Sequence, residues 1–296
     1  MTHCLQSFSE IHAALSGARR ILIASDFDGT LCAIEDTPAK VRLTARMLAI
    51  RRSIVACERL ELAVISGRSL EELTRLVPLE IPLAGNHGLE IAGPRLSFVH
   101  AAALGLRPKL RSACDALTRE LRRWPGAWVE NKGLTATLHF RHIDCSQRGA
   151  VLFAARRVMG RFGATFALRI GIQCLEIRPR VEWDKGSALA RILDEMGPFD
   201  ACVCLGDDRT DEGMFRSDRA PIGVRVGFAD DTAAGYYVPS QDEVPVLLSR
   251  IVELAASAAP PRARLNRSAN PSHPAVQYAG PAAPLQLSSK SSDSGR

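Results

Sequence analysis

Four apolar residues in a row, Ile21, Leu22, Ile23 and Ala24, lead into Asp26, Phe27, Asp28, Gly29 and Thr30. A short unbroken apolar run closed by a polar, Gly-containing turn predicts a strand buried on both faces, as in a parallel sheet. The pattern recurs at 62–65 before Ser66, Gly67 and Arg68, at 81–84 before Gly85, Asn86, His87 and Gly88, and at 201–205 before Gly206, Asp207 and Asp208. A fifth strand is predicted at 220–226. Helical spacing separates these runs. Leu5, Phe8, Ile11, His12 and Leu15 form an apolar stripe ended by Gly17, and Thr37, Pro38 and Thr44 introduce a helix over 44–58. Ser69 caps another, with Glu71 and Glu72 in its first turn; Lys185 and Gly186 open one through Met196; residues 243–256 make a closing helix. Strands alternating with helices predict a Rossmann-like α/β core, with the polar turns gathered at the carboxyl edge of the sheet.

Between about 104 and 180 the rhythm changes. A helical stretch through Arg123 precedes strand-like runs at 127–130 and 134–141, a helix over 147–162, and runs at 165–168 and 173–178. This α-β-β-α-β-β series predicts an antiparallel sheet with helices on one face, inserted as an α+β cap domain. The expected division is a core in two parts, 1–103 and 181–257, a cap at 104–180, and a tail at 258–296 rich in Pro, Ser and Ala that cannot bury enough apolar surface to order itself.

Charge alters this picture little. The net charge is +6 and the pI near 9.0, but Arg262, Arg264, Arg267, Lys290 and Arg296 face only Asp293 in the tail, so most of the excess lies outside the predicted core and cap. No basic run or recognition motif supports nucleic-acid binding. The eight cysteines show no CxxC and no metal-ligand spacing, which suits free thiols in a reducing compartment. The first twenty residues lack a continuous apolar segment and no stretch reaches membrane-spanning length, so a cytoplasmic protein without a membrane partner is expected. Oligomeric state is not legible, and a monomer is compatible with the sequence.

The candidate chemistry lies at the strand ends. An isolated Asp-Gly is ordinary turn chemistry. Here a second acid stands two residues upstream, directly after a buried strand, and side chains two apart on an extended chain point to one side. Two close carboxylates resist ionising unless a cation offsets them, and a hard divalent ion such as Mg²⁺ suits oxygen ligands. Asp26 and Asp28, Ser66 and Arg68, Lys185, and the Asp207, Asp208 and Asp211 group together offer acids, a hydroxyl and an ammonium. Phosphoryl transfer needs that set, because charge spread over three oxygens must be positioned and neutralised.

The run DFDGTL at 26–31 resembles the first motif of the haloacid dehalogenase-like phosphatases, and later motifs resemble the trehalose-6-phosphate phosphatase family over about 1–257. The resemblance implies that Asp26 is the nucleophile of an aspartyl-phosphate intermediate, Asp28 the general acid and base, and Ser66 and Lys185 the phosphate-holding residues. It implies a Mg²⁺ site of Asp26, the Asp28 backbone carbonyl and Asp207, with Asp208 and Asp211 as further metal-site acids. GNHGLE at 85–90, ENKG at 130–133, LHFR at 138–141, Glu176 within LEIRPR and EWDKG at 182–186 carry the likeness to the trehalose branch. By it, Gly29, Arg68, Asn86, His87, Glu90, Glu130, Lys132, Arg141 and Glu176 bind substrate. Gly213 departs from the pattern, which has an acid there. The implied reaction is hydrolysis of trehalose 6-phosphate in trehalose biosynthesis. Another phosphosugar (sucrose phosphate or mannosyl-phosphoglycerate), or a non-catalytic phosphosugar-binding regulatory domain, is the alternative.

Overall fold

The computed structural model describes residues 1–35, 40–77, 81–171, 173–219 and 221–257. In chain order the elements are β1 (Thr2–His3), α1 (Phe8–Ser16), β2 (Ile21–Ser25), α2 (Ala45–Ala56), β3 (Leu60–Ile65), α3 (Leu70–Leu76) and β4 (Leu83–Gly85). Next come β5 (Glu90–Gly93), β6 (Leu96–Val99), α4 (Ala101–Gly105), α5 (Arg107–Leu121), β7 (Trp128–Asn131), β8 (Ala136–His139), α6 (Cys145–Gly160), β9 (Phe166–Gly171) and β10 (Cys174–Pro179). The chain continues through α7 (Lys185–Met196), β11 (Ala201–Gly206), α8 (Glu212–Phe215), β12 (Ile222–Val226), β13 (Tyr236–Val238) and α9 (Val244–Ser257).

Two sheets result. The larger has nine strands in the order β1-β13-β12-β11-β2-β3-β4-β5-β6, parallel from β1 through β4 and antiparallel from β4 to β6. This is the expected α/β core with a parallel-dominated sheet. Period-2 alternation along β2 drives the layering: Ile21 and Ile23 join Leu62, Val64 and Val203 under α1, α2, α3 and α9. Leu22 and Ala24 join Ala63, Ile65, Cys202 and Cys204 under α7 and α8 on the opposite face. Both faces are covered, so the central strands are apolar throughout. The sheet grows to one side of β2 through β3 and to the other through β11. That reversal opens a crevice at the carboxyl ends of β2 and β11, where α/β sheets bind ligands.

The smaller sheet is antiparallel, β7-β8-β10-β9. Leu138, Leu175, Ile177 and Ala136 point to α5 and α6, closing a separate apolar cluster on one face only. The other face is polar.

Several sequence expectations differ from the fold in detail. His12 is exposed, because position 12 is turned about 100° from Ile11 and about 60° from Leu15, the two buried residues of the helix. The hairpin β5-β6 falls in a stretch to which the sequence pattern assigns no element; it turns at Gly93-Pro94-Arg95, where Arg95 adopts φ 64°. Strands β1 and β13, two and three residues long, are too short to register as periodic runs. The helix expected from 104 is two helices, α4 and α5, with Pro108 in the first turn of the second. Thr37 and Pro38, Ala220, and the tail at 258–296 lie outside the described residues.

Candidate active site

The loop after β2 starts where Asp26 N–H donates to the Leu205 carbonyl at 2.9 Å, tying the ends of β2 and β11 together. Asp26 is buried, and its Oδ1 lies 2.8 Å from Lys185 Nζ. Lys185 is the first residue of α7; a capping box between Asp184 and Ser187 fixes that helix start. The same Nζ donates to Asp211 Oδ1 at 2.6 Å, while Asp211 Oδ2 accepts from Asp207 N–H at 3.0 Å and Asp208 N–H at 2.9 Å. Asp211, fully enclosed, therefore orients both the ammonium and the acidic turn. Gly206 makes room for it, since a Cβ there would lie 2.3 Å from Asp211 Cγ.

Asp26, Asp207 and Asp211 offer carboxylate oxygens all within 4.8 Å of one another. Burial pushes the Asp26 carboxyl well above the usual range; Lys185 opposes this, and Asp211 and Asp207 add to it. Burial and Asp211 likewise push Asp207 up to about 6, against the pull of Lys185. Three acids facing one ammonium are short of positive charge, and every donor is a hard oxygen, so the set fits a divalent cation such as Mg²⁺ or Mn²⁺. With Asp211 already accepting three hydrogen bonds, Asp26 and Asp207 are the acids with oxygens to spare. Gly29 lets Asp207 reach this position: at φ 80° it carries no Cβ, and one would fall 2.3 Å from Asp207 Oδ2.

The side chains of Asp28 and Asp208 stand apart from this cluster. Asp28 does not share the carboxylate cluster: the chain leaves the extended conformation after Ser25, and Arg68 takes the Asp28 carboxylate in a fork, Nε to Oδ2 and Nη2 to Oδ1, both 2.7 Å. Asp208, grouped with the metal acids by its sequence, is exposed and spends Oδ1 on the Arg209 N–H. Arg68 belongs with Asp28 and Glu72, the latter 3.6 Å away, in the turn where Ser66 Oγ accepts the Arg68 N–H at 3.2 Å. Ser66 is buried beside this fork with its hydroxyl proton free to donate.

The second sheet faces this crevice with a cross-strand row. Its register pairs Glu130 with Thr137, Thr137 with Glu176, and Glu176 with Arg169. Lys132 Nζ donates to the Gly67 carbonyl at 3.2 Å, and Glu176 Oε1 lies 3.8 Å from His87 Nε2. His139 Nε2 donates to Glu130 Oε2 at 2.8 Å, and Arg178 pairs with Glu176. Burial would raise the Glu130 carboxyl, but His139 and Lys132 win and hold it below its ordinary range. Arg141 reaches across to the Glu35 carbonyl at 3.4 Å. These contacts bring Glu130, Lys132, Arg141 and Glu176 to the core.

His87 sits in a strained turn, with Asn86 at φ 50° and His87 at φ 59° in the left-handed region. Its ring packs on Gly67, where a Cβ would be 2.7 Å from Cε1, and its buried Nδ1 has no partner. Burial, helped by Arg178, Lys185 and Lys132, holds the ring well below the ordinary histidine range, so it is neutral at pH 7. Asn86 and Glu90 prove to be internal ties. Glu90 Oε1 accepts from Leu70 N–H at 2.8 Å and Asn86 Nδ2 at 2.6 Å. Asn86 in turn donates to the Lys132 carbonyl at 3.0 Å and accepts from Thr135 Oγ1, which fastens the second sheet to the core.

The family model for trehalose-phosphatases matches residues 24–238. The chain is 33% identical over 268 residues to probable trehalose-phosphate phosphatase E of Arabidopsis thaliana, an alignment spanning 84% of this chain and 74% of that one. The chain belongs to the trehalose-phosphatase family. Probable trehalose-phosphate phosphatase 9 of Oryza sativa subsp. japonica is likewise 33% identical over 285 residues, covering 86% and 75% of the two chains. The fold agrees with a solved trehalose-6-phosphate phosphatase C-terminal domain from C. albicans, at TM-score 0.70 and 20% identity, over 83% of this chain and 96% of that one.

Within this family framework, Gly213 has a local explanation. A Cβ at 213 would approach Asp184 Oδ2 to 2.6 Å, so an acid there would press against the cap of α7. The site also holds residues that sequence reasoning passed over. Arg169 faces Glu176 only through the β9-β10 register, which no single-strand pattern reveals, while Arg178 stands two residues along β10 from Glu176 and pairs with it. Thr135 and Thr137 are ordinary strand residues until paired.

Proposed function

We propose that this chain is a phosphoric monoester hydrolase that removes phosphate from trehalose 6-phosphate, with Asp26 as nucleophile. The contact that carries the reading is Asp26 to Lys185 at the crevice between β2 and β11, in a member of this family. Asp26 and Asp207 would hold Mg²⁺, together with the Asp28 carbonyl, and the ion would neutralise charge on the phosphoryl oxygens.

Asp26 attacks phosphorus, the bond to the sugar oxygen breaks, and Asp28 supplies the proton to that oxygen. Water then attacks the aspartyl phosphate, giving its proton to Asp28 and releasing phosphate and free Asp26. Lys185 and the Ser66 hydroxyl hold the phosphoryl oxygens, and Arg68 fixes the direction of Asp28. We take 104–180 as a cap whose polar row grips the sugar, with 1–103 and 181–257 as the core. Glu130, Lys132, Arg141, Glu176 and His87 would orient the hydroxyls by charge-assisted hydrogen bonds. The free thiols suit a cytoplasmic setting, and among the described residues no helix is long and apolar enough to cross a membrane.

The deciding experiment is phosphate release from a panel of phosphosugars with and without Mg²⁺. Trehalose 6-phosphate should lead in kcat/KM, and Asp26→Asn and Asp28→Asn should each lose turnover. Comparable rates on sucrose phosphate would overturn the substrate assignment, and an active Asp26→Asn protein would overturn the nucleophile.

A further inference from the structure

We propose that Arg169, Arg180, Arg209 and Arg216 form a capture rim that draws a phosphomonoester dianion toward Asp26 by charge, without reading the sugar. The inference rests on the phosphatase reading and adds to it a class of residue that neither the motifs nor the cross-strand row supply. The four come from three separate parts of the fold: β9 and the segment after β10 in the second sheet, the 3-10 turn at Arg209–Asp211, and the residue after α8. They line one cleft of about 710 Å³, together with His87, Arg178 and Lys185. Lys185 makes the connection inward, because it is among the lining residues and its ammonium touches Asp26.

The charge in this cleft is lopsided. Six cationic residues line it against Glu182 and Asp184; Lys185 is held by Asp26 and Asp211 and Arg178 by Glu176, and Asp184 already accepts the Ser187 N–H at 2.8 Å as a helix cap, so the excess lies in the four rim arginines. His87 is neutral there. Among the described residues Arg209 forms an ion pair with Asp231 at 3.5 Å, both side chains 86% exposed, and Arg216 one with Glu212 at 3.3 Å. The Arg209 pair is fully at the surface and exchanges readily for a dianion; Arg216 is itself 62% exposed, and its buried partner Glu212 keeps hydrogen bonds from Thr232 and Ala233 when the guanidinium turns outward. Among the described residues, Arg169 and Arg180 form no ion pair. A concave surface lined by one sign of charge focuses field and raises the arrival rate of an oppositely charged ligand. Four guanidinium groups outside the cluster therefore act before chemistry, on the phosphate that all candidate esters share.

The test is kcat/KM of the full chain and of Arg209→Gln/Arg216→Gln, for trehalose 6-phosphate and for a small aryl phosphate, between 10 mM and 0.5 M ionic strength. Arg52→Gln, on α2 and outside the cleft, controls for net charge. The double variant should lose about fivefold to tenfold in kcat/KM at low salt on both esters, and the gap should close to under about twofold at high salt, as screening removes the field. A loss confined to the sugar ester, a loss independent of salt, or an equal loss in Arg52→Gln would each overturn the rim. Failure of the phosphatase reading is distinct: the unaltered protein would then turn over neither ester.

Discussion

Replacing Lys185 by Met is the sharpest probe of how the core is held. The ammonium is 2% exposed and contacts Asp211 and Asp26, whose side chains are 0% and 9% exposed. At an effective dielectric near 20, an ion contact of this length represents roughly 6 kcal/mol of attraction, most of it offset by desolvation. Removing one partner reverses that balance, because the acids stay buried without a counter-charge; the expected loss is about 3–5 kcal/mol. An independent bound agrees. A stranded acid can escape by taking a proton, which at pH 7 costs about 4 kcal/mol for a group of ordinary pKa near 3.9.

The pH dependence follows from the signs. Lys185 is raised above its ordinary value, by Asp211 and Asp26 against burial, so its contribution is complete below about pH 10 and fades only as pH rises past the folded value. Between pH 5 and 9 the unaltered protein therefore draws a constant benefit from it. In the variant the stranded acids carry raised pKa values, which cost stability at high pH and less as pH falls. The deficit should shrink by about 1.4 kcal/mol per pH unit on acidification, for each acid that takes up a proton. Urea unfolding in EDTA at pH 8, 7 and 6 measures this, with m-values unchanged. A deficit below about 1 kcal/mol at pH 8, or one that grows on acidification, would refute the account.

Four further outcomes are expected. Gly29→Ala should fold with a loss of about 1–2 kcal/mol from its left-handed φ and bind Mg²⁺ more weakly by calorimetry, because its Cβ displaces Asp207; unaltered metal binding would contradict that geometry. His87→Asn, which tolerates the same φ, should flatten the fall in stability below pH 6.5, since a histidine held neutral by the fold loses up to about 1.4 kcal/mol per pH unit as the unfolded chain protonates; parallel Tm curves for the two proteins would dismiss the buried neutral ring. Glu90→Gln keeps a carbonyl oxygen for Leu70 and Asn86 and should stay within about 1 kcal/mol of the parent, whereas Glu90→Ala should lose about 2–3; a large rise in KM for the Gln variant at intact stability would return Glu90 to the sugar. Arg59, buried and donating to the carbonyls of Ala18, Ser16 and Ala255, ties α1 to α9, and Arg59→Met should cost about 3 kcal/mol in urea; a shift under a third of that would place the tie elsewhere.

The strands at 21–24 and 201–205 could be read from sequence because burial on both faces demands unbroken apolar runs, and the polar turns after them then mark the crevice. The placing of Asp26, Ser66, Lys185 and Asp207 at that crevice was legible for the same reason: each stands one or two residues past such a run or at a helix start. What stayed hidden depends on pairing across the chain. Asn86 and Glu90 sit in a motif that suggests substrate contact, yet their partners are Leu70, Lys132 and Thr135, known only once β4 and the second sheet meet. The hairpin β5-β6 escaped because Glu90, Gly93 and Ser97 break its apolar runs. The arginines of the cleft gave no signal at all, since a lone exposed Arg reads the same on any surface.

The two aspartates of the first motif show most clearly how a shared residue type divides into separate tasks. On an extended chain, positions 26 and 28 would point the same way and their charges would add. The strand stops at Ser25, Phe27 buries its ring completely, and Gly29 at φ 80° turns the chain, so the two carboxylates meet different cations. Asp26 is enclosed with Lys185, a single ammonium that it shares with Asp211, and Asp207 adds a third carboxylate to the cluster. Asp28 is a third exposed and held by the planar fork of Arg68, which fixes direction without enclosing the group. A nucleophile needs a fixed oxygen beside the electrophile; a proton carrier needs fixed aim and access to water. On the proposed mechanism, one buried and one forked carboxylate would supply those two requirements from residues only two positions apart.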